Sequence, residues 1–486
     1  MSIAFDSATR LAARIRAKEI SSRELTELYI RRIERYDDVV NAVVVRDFEA
    51  ALTAAERADA ELAAGTPRGP FHGVPMTIKE AYDVVGLPTT WGTPAFRDNV
   101  AKQDAATVAF LREAGGHFLG KTNVPLQLSD FQSYNDIYGT TNNPWNLERT
   151  PGGSSGGSSA ALAAGFCALE SGSDIGGSIR NPAHFCGVYG HKPTYGIVPD
   201  QGHALPGAVA SPDIAVVGPM ARSAEDLATA LEVVSGADRF HERGWRLALP
   251  EPARKTLSEF RVAVWADDPE CPVSAAVGDR VQQVADRLAA LGAKVDDRAR
   301  PAGFDSAAIY RVYQTVLNGQ LSAGFPNEVY ANLEAAAGQL ADDDESPEAV
   351  GLRTMTQSHR DWVRATHARG ALRQSWNAFF EDWDILLCPQ MPTTAFPHDH
   401  TPFIARTLDV DERCQPYGKQ VFWAGLITAA YLPSTVFPTG LADDGLPIGL
   451  QAAGAEFSDR TCIEFARLLA DEFGGFQPPP GYGDDA

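Results

Sequence analysis

Residues 151–182 read PGGSSGGSSAALAAGFCALESGSDIGGSIRNP, with glycine pairs leading into serine at Gly152-Gly153-Ser154 and Gly176-Gly177-Ser178. Glycine before serine lets the backbone approach another group and turn its N–H groups inward. Consecutive inward N–H groups make an anion cradle. A hydroxyl held in such a cradle suits acyl transfer, because the nucleophile then sits beside donors for the developing oxyanion. A glycine–serine linker would be polar and featureless. This segment instead encloses Ala160 to Cys167, small apolar residues suited to a tightly packed buried helix, and carries Asp174 and Arg180 at its flanks. Gly152-Gly153-Ser154-Ser155-Gly156 also matches the nucleophile elbow, but that motif follows a buried apolar strand. Here a polar loop, Asn146 to Pro151, precedes it.

Outward from this core the pattern alternates helices with strands. Ser21-x-x-Glu24 resembles a capping box that starts a helix with Leu25, Leu28, Tyr29 and Ile33 on one side. Val43 to Val45 reads as a short strand, and Ala50 to Ala64 as a helix. Val74, Met76 and Ile78 alternate, as a strand ending at Lys79 requires. Asp104 is placed to cap a helix that runs to Ala114, and His117-Phe118-Leu119 reads as the next strand. Arg261–Trp265, Ser274–Leu291 and Ala293–Val295 form a strand–helix–strand unit. Residues 303–380 are mostly helical, broken by a solvated loop at 342–347. Ile385–Pro389 is a buried strand; Thr435–Phe437 and Ile448–Gln451 flank a turn at Asp443-Asp444-Gly445; residues 459–472 form a closing helix. Gly115-x4-Gly120-Lys121-Thr122 matches the phosphate loop in letters only, since that loop needs a strand before it and a helix after it.

The 486 residues carry 42 Lys and Arg against 63 Asp and Glu, a net charge of −21. So acidic a surface repels phosphate backbones and anionic lipid, which argues against nucleic-acid and membrane partners. The opening residues lack an apolar signal core, no stretch approaches a membrane span, and six scattered cysteines read as reduced thiols. A cytoplasmic protein is expected.

A serine nucleophile needs a base. The ten histidines form no constellation; His184 and His191 are the nearest in sequence, and His398-Asp399-His400 lacks an evident third metal ligand. Lys79 ends an apolar strand, where a lysine is costly without a purpose, and desolvation lowers a lysine's pKa toward neutrality. A strand-end lysine paired with Glu80 or Asp83 stands as the alternative.

Together these residues resemble the amidase signature family of Ser–cis-Ser–Lys hydrolases. The resemblance rests on Gly73-Val74-Pro75-x-x-x-Lys79, Gly120-Lys121-Thr122-Asn123, Asn143-Pro144-Trp145, Pro151 to Ser158, Gly172 to Ala183, Gly187-x-x-Gly190-x-Lys192-Pro193-Thr194, Gly218-Pro219-Met220 and Gly445 to Gln451. It implies an α/β fold with a large mixed, mostly parallel central sheet covered by helices on both faces. One domain over 1–486 is expected, with the catalytic core at about 70–220, a helical pocket region at about 303–380 and a mobile tail at 478–486.

The resemblance further implies roles. Ser178 is the nucleophile, Ser154 the serine after a cis peptide bond, and Lys79 the base that takes a proton through Ser154. The N–H groups of Ile175, Gly176, Gly177 and Ser178 form the oxyanion hole. Asp174 and Arg180 brace the loop as an ion pair. The activity implied is hydrolysis of a linear amide C–N bond in a small molecule, without metal or organic cofactor, by a monomer or homodimer. Glu80-Ala81 departs from the acidic-residue-then-Asn pair of many relatives. Phe131, Tyr134, Phe422 and Trp423 are candidates for the pocket wall or for plain packing. Two rivals share the core: the A subunit of a glutamine-dependent tRNA amidotransferase, whose basic Phe-Gly-x-Glu-Val-Lys-Arg-Arg pattern is not found in 303–380, and a non-catalytic relative.

Overall fold

Alternation along Ile385–Pro389 shows how the molecule is layered. In the computed structural model, which describes residues 2–341, 343–344 and 346–483, Ile385 and Leu387 enter one hydrophobic core while Leu386 and Cys388 enter another. Successive strand residues face opposite sides of a sheet, so the two cores are its two faces. The first is closed by helices Ala275–Ala290 and Asp459–Phe473 through Val281, Val284, Leu288, Ile463 and Phe465. The second is closed by Ser306–Ser322, His359–Asp382 and Phe422–Ala429 through Tyr310, Tyr313, Trp376, Phe380, Phe422 and Trp423.

The sheet has eight strands in the order Lys294–Asp296, Arg261–Val264, Ile385–Pro389, Pro447–Ala453, Ser434–Leu441, Tyr189–Lys192, Val216–Ala221 and Glu170–Asp174. It is mixed, as expected, but not mostly parallel. Only the first two junctions are parallel; the five others are antiparallel. The cause is local. Parallel neighbours need a long crossover, which the helix Ala275–Ala290 supplies between Arg261–Val264 and Lys294–Asp296. The turn at Asp443-Asp444-Gly445 can make only a hairpin.

A second, three-stranded sheet runs Val43–Arg46, His117–Thr122, Pro75–Lys79 and sets Lys79 beside Thr122. The capping box is present: Glu24 N–H donates to the Ser21 hydroxyl at 3.0 Å and Ser21 N–H to the Glu24 carboxylate at 2.8 Å. Asp104 does not cap the following helix, Ala106–Glu113; its carboxylate is engaged by Val85 N–H at 2.8 Å and by Arg112 at 3.0 Å.

Small residues are obligatory in the helix Gly156–Ala163, which is buried throughout. A Cβ on Gly157 would sit 2.3 Å from Asn123 N. Near the C-terminus, Tyr482 of the expected tail is packed on the body of the protein. Its ring is buried beside Tyr36, and its carbonyl accepts from Arg32 at 2.8 Å. Residues 484–486 of that expected tail, and Asp342 and Glu345 of the expected loop, lie outside the described residues.

Candidate active site

Lys79 closes the buried strand Pro75–Lys79 with its side chain inside the protein. Its Nζ lies 2.7 Å from Ser154 Oγ, 2.9 Å from Ser155 Oγ and 2.9 Å from Ser173 Oγ. Burial lowers its pKa from 10.5 to about 7, against the opposing pull of Asp174 and Glu170. A charged amine donates to all three hydroxyls. A neutral amine donates to two and accepts from the third, so the same cage serves both protonation states. The alternative pairing with Glu80 is not formed: that carboxylate accepts from Thr90 N–H, the Thr90 hydroxyl, Trp91 N–H and the Tyr138 hydroxyl.

The Gly153–Ser154 peptide bond is cis. Asn181 Oδ1 accepts the Gly153 N–H at 2.8 Å. A side chain at 153 would meet Asp130 O at 2.4 Å, so only glycine fits against the 130–132 loop. Ser155 N–H donates to the Ser178 carbonyl at 3.1 Å and ties the two glycine–serine turns together.

Ser178 is 8% exposed. Among the described residues its hydroxyl has no hydrogen-bond partner, so Lys79 and Ser154 are hydrogen-bonded to each other and Ser154 and Ser178 are not. Of the four cradle N–H groups, Gly177 donates to Asp174 at 2.9 Å. Those of Ile175, Gly176 and Ser178 have no acceptor among the described residues.

Asp174 and Arg180 form the expected brace. The guanidinium reaches the carboxylate through two bonds of 3.0 and 2.8 Å, with both side chains buried. Arg180 is further held by Ala424 O, Gln451 and Thr428, which commits it to the scaffold. Burial works to raise the Asp174 pKa, but the charge and hydrogen bonds of Arg180 override it and hold the acid at about 2.

Three of the four aromatic candidates, Phe131, Phe422 and Trp423, are buried in the core on one face of the sheet. Trp423 donates to Cys271 O at 3.2 Å and packs edge-on to Trp265; Phe422 packs edge-on to Tyr310. The other edge of that helix meets the turn. Val421 and Ala424, three residues apart, approach Gly176 and Gly177, where Tyr313 also donates to Ile175 O at 3.0 Å. Phe131 lies in the loop packed on Gly153, its ring edge-on to Tyr417. Tyr134 stacks on His400 and accepts from Arg406 at 2.6 Å.

Sequence reasoning missed Ser155, Ser173 and Asn181 around Lys79 and Ser154. It also missed a buried group in which Asp130 accepts from Arg406 at 2.6 Å and from Tyr417 at 2.7 Å. The adjacency of Ser155 to Ser154 was a usable signal. Nothing in the sequence links Asp130 to a residue 276 positions away. Among the described residues, no three His, Cys, Asp or Glu are grouped as a metal ion would need.

The model of the Amidase family matches residues 24–463. This chain belongs to the amidase family. The amidase is 33% identical to fatty-acid amide hydrolase 2-A of Danio rerio, over 97% of this chain and 90% of that protein. It is 33% identical to the indoleacetamide hydrolase of Bradyrhizobium diazoefficiens, over 96% of this chain and 86% of that protein. A glutamyl-tRNA(Gln) amidotransferase component of Cyanothece sp. is 31% identical, over 90% of this chain and 92% of that protein. The solved structure of 6-aminohexanoate cyclic dimer hydrolase in complex with its substrate is similar at a TM-score of 0.79. It is 27% identical, covering 99% of this chain and 100% of that one. The amidase is accordingly an enzyme of a hydrolase family that acts on amides. No helix among its described residues is long and apolar enough to cross a membrane.

Proposed function

We propose that this amidase cleaves a small-molecule carboxylic amide through an acyl-enzyme on Ser178, with Ser154 and Lys79 as the proton relay. The observation that carries the reading is the fully buried Lys79 amine 2.7 Å from the Ser154 hydroxyl. An amine with a pKa near 7 is neutral often enough to act as a base at physiological pH.

Neutral Lys79 takes the Ser154 proton as Ser154 takes that of Ser178. Ser178 Oγ attacks the amide carbonyl carbon, and the oxyanion is held by the N–H groups of Ile175, Gly176 and Ser178. The proton returns through Ser154 to the leaving nitrogen, the C–N bond breaks, and the amine departs. Water then attacks the ester carbonyl and gives its proton to the same relay, the acyl C–Oγ bond breaks, the relay returns the proton to Ser178 Oγ, and the carboxylate leaves. On this reading the unbonded Ser178 hydroxyl must engage Ser154 when substrate binds, as catalytic hydrogen bonds often tighten only in the substrate complex.

Covalent labelling by a sulfonyl fluoride, mapped by mass spectrometry, tests the nucleophile. A label on Ser178, lost in Ser178→Ala together with amine release, supports the reading. A label elsewhere, or full turnover by Ser178→Ala, refutes it.

The amidotransferase reading draws on the similarity to the Cyanothece protein. It predicts amide turnover only in the presence of partner proteins. Our reading predicts turnover by the isolated chain, as a monomer or homodimer acting in the cytoplasm as one catalytic domain.

A further inference from the structure

Gln390 follows the buried strand Ile385–Pro389 and is itself fully buried. Among the described residues neither its Nε2 nor its Oε1 has a hydrogen-bond partner. Most buried polar groups have at least one partner; among the described residues His398 is the other side chain with both of its nitrogen or oxygen atoms unpaired. The same interior satisfies Gln451 and Gln132 fully, whereas Gln420, equally buried, donates to Tyr417 O at 2.9 Å and leaves only its Oε1 unpaired. Gln451 accepts from Arg180 and Ser434 and donates to Pro389 O and Trp423 O, all within 3.2 Å. Gln132 pairs through both amide atoms with the Asp399 backbone at 2.7 and 2.9 Å. Gln390, one residue from a carbonyl that Gln451 uses, is left over.

Its amide abuts the residue before Ser178. A Cβ built on Gly177 would lie 2.9 Å from Gln390 Nε2 and 3.9 Å from Asn181 Cβ. Asn181 is also fully buried. Its Oδ1 takes the Gly153 N–H, while its Nδ2 has no partner among the described residues. Two donors and one acceptor thus flank the turn that carries the candidate nucleophile. Asp174 and Arg180 beside that turn are paired with each other and the Lys79 amine is held by three hydroxyls, so the group these amides suit is neutral and both accepts and donates.

We infer that Gln390 and Asn181 form a polar subsite beside Ser178 that receives an uncharged hydrogen-bonding group of the substrate, a hydroxyl or a second carboxamide. The inference rests on the acyl-transfer reading above and adds to it a preference for polar substrates. A site built to hydrogen-bond such a group discriminates strongly against an analogue that leaves its buried polar atoms unpaired.

The test uses anilides matched in shape: lactanilide against isobutyranilide, and 3-hydroxybutyranilide against isovaleranilide, each a hydroxyl–methyl pair. In at least one pair the wild-type enzyme is expected to favour the hydroxyl member by about tenfold or more in kcat/KM. Gln390→Met should bring that ratio close to one with the melting temperature kept or raised, because a thioether needs no partner. Gln390→Leu, of similar size and with neither donor nor acceptor, should reduce the ratio as well. Three results overturn the inference: no preference in the wild type, a preference that survives both substitutions, or a lower melting temperature with both members of a pair slowed equally. Turnover without preference leaves the acyl-enzyme reading standing. No turnover of any anilide, with no label on Ser178, overturns both.

Discussion

The Asp174 carboxylate accepts the Gly177 N–H at 2.9 Å, so one acid both closes the turn before Ser178 and grips Arg180. Its hold extends to the N–H groups of Ile179 and Arg180. Asp174→Ala would leave a buried guanidinium without its counter-charge and the turn without its anchor. Removing one partner of such a pair costs about 3–5 kcal/mol. A stability loss of that order in urea denaturation is expected, with loss of amide turnover. A variant as stable and as active as the wild type would show that the turn holds itself.

Lys79 should set the acid limb of activity. Burial has moved its pKa down to about 7, and the base must be neutral, so kcat/KM should rise as pH passes through that value. A flat profile from pH 5 to pH 9 would contradict a lysine base. Stability follows the same titration. Between about 7 and 10.5 the unfolded chain binds a proton at this lysine that the folded chain does not. Stability due to this group therefore rises with pH across that window, and its penalty is fully present below it. Lys121 and Lys192 are lowered by burial too, to about 8 and about 7. The measurement is thus the difference between wild type and Lys79→Met: the pH-dependent part specific to Lys79 should vanish in the variant.

Ser155 and Ser173 accept from the Lys79 amine and should stabilise its charged form. Deleting either hydroxyl, as in Ser173→Ala, removes an acceptor from the ammonium. The acid-limb midpoint should then move to lower pH by about 1–2 units, on the scale of one hydrogen bond to a charge. An unmoved midpoint with a lower plateau would mean that these serines only position the amine.

How far these arrangements were legible depended on how local their causes are. The Ser21–Glu24 box and the hairpin about Asp443-Asp444-Gly445 follow from short-range pattern; the burial of Lys79 does not, because the same strand-end position equally allowed an exposed lysine paired with Glu80 or Asp83. Strand direction across the sheet does not, because it depends on how distant segments return to one another. Asp104 has the chemistry of a cap, yet Val85 and Arg112 compete for it. Phe422 and Trp423 were the conspicuous aromatics, but the helix turns them into the core and offers Val421 and Ala424 to the turn. Gln390 gave no signal, since a glutamine's partners cannot be counted before the fold is known.

The helix Gly156–Ala163 offers a case in which local propensity and packing oppose each other. Alanine is favoured over glycine inside a helix by about 1 kcal/mol, so Gly157→Ala would stabilise an exposed helix. Here the added methyl would lie 2.3 Å from Asn123 N, 2.7 Å from Asn123 O and 2.9 Å from Asn123 Cα. These are backbone atoms, and they cannot swing aside as a side-chain tip can. Gly157 N–H also donates to Asn123 O at 3.2 Å, so the segment after the strand His117–Thr122 is bound to the helix at that point. Overpacking of this kind costs about 1–3 kcal/mol or more, enough to reverse the propensity gain. Gly157→Ala is therefore expected to lower stability. Because the helix begins two residues after Ser154, the displacement should also reduce turnover. Equal or greater stability in thermal denaturation would show that the two segments can part without cost, and that the close approach does not hold the relay in place.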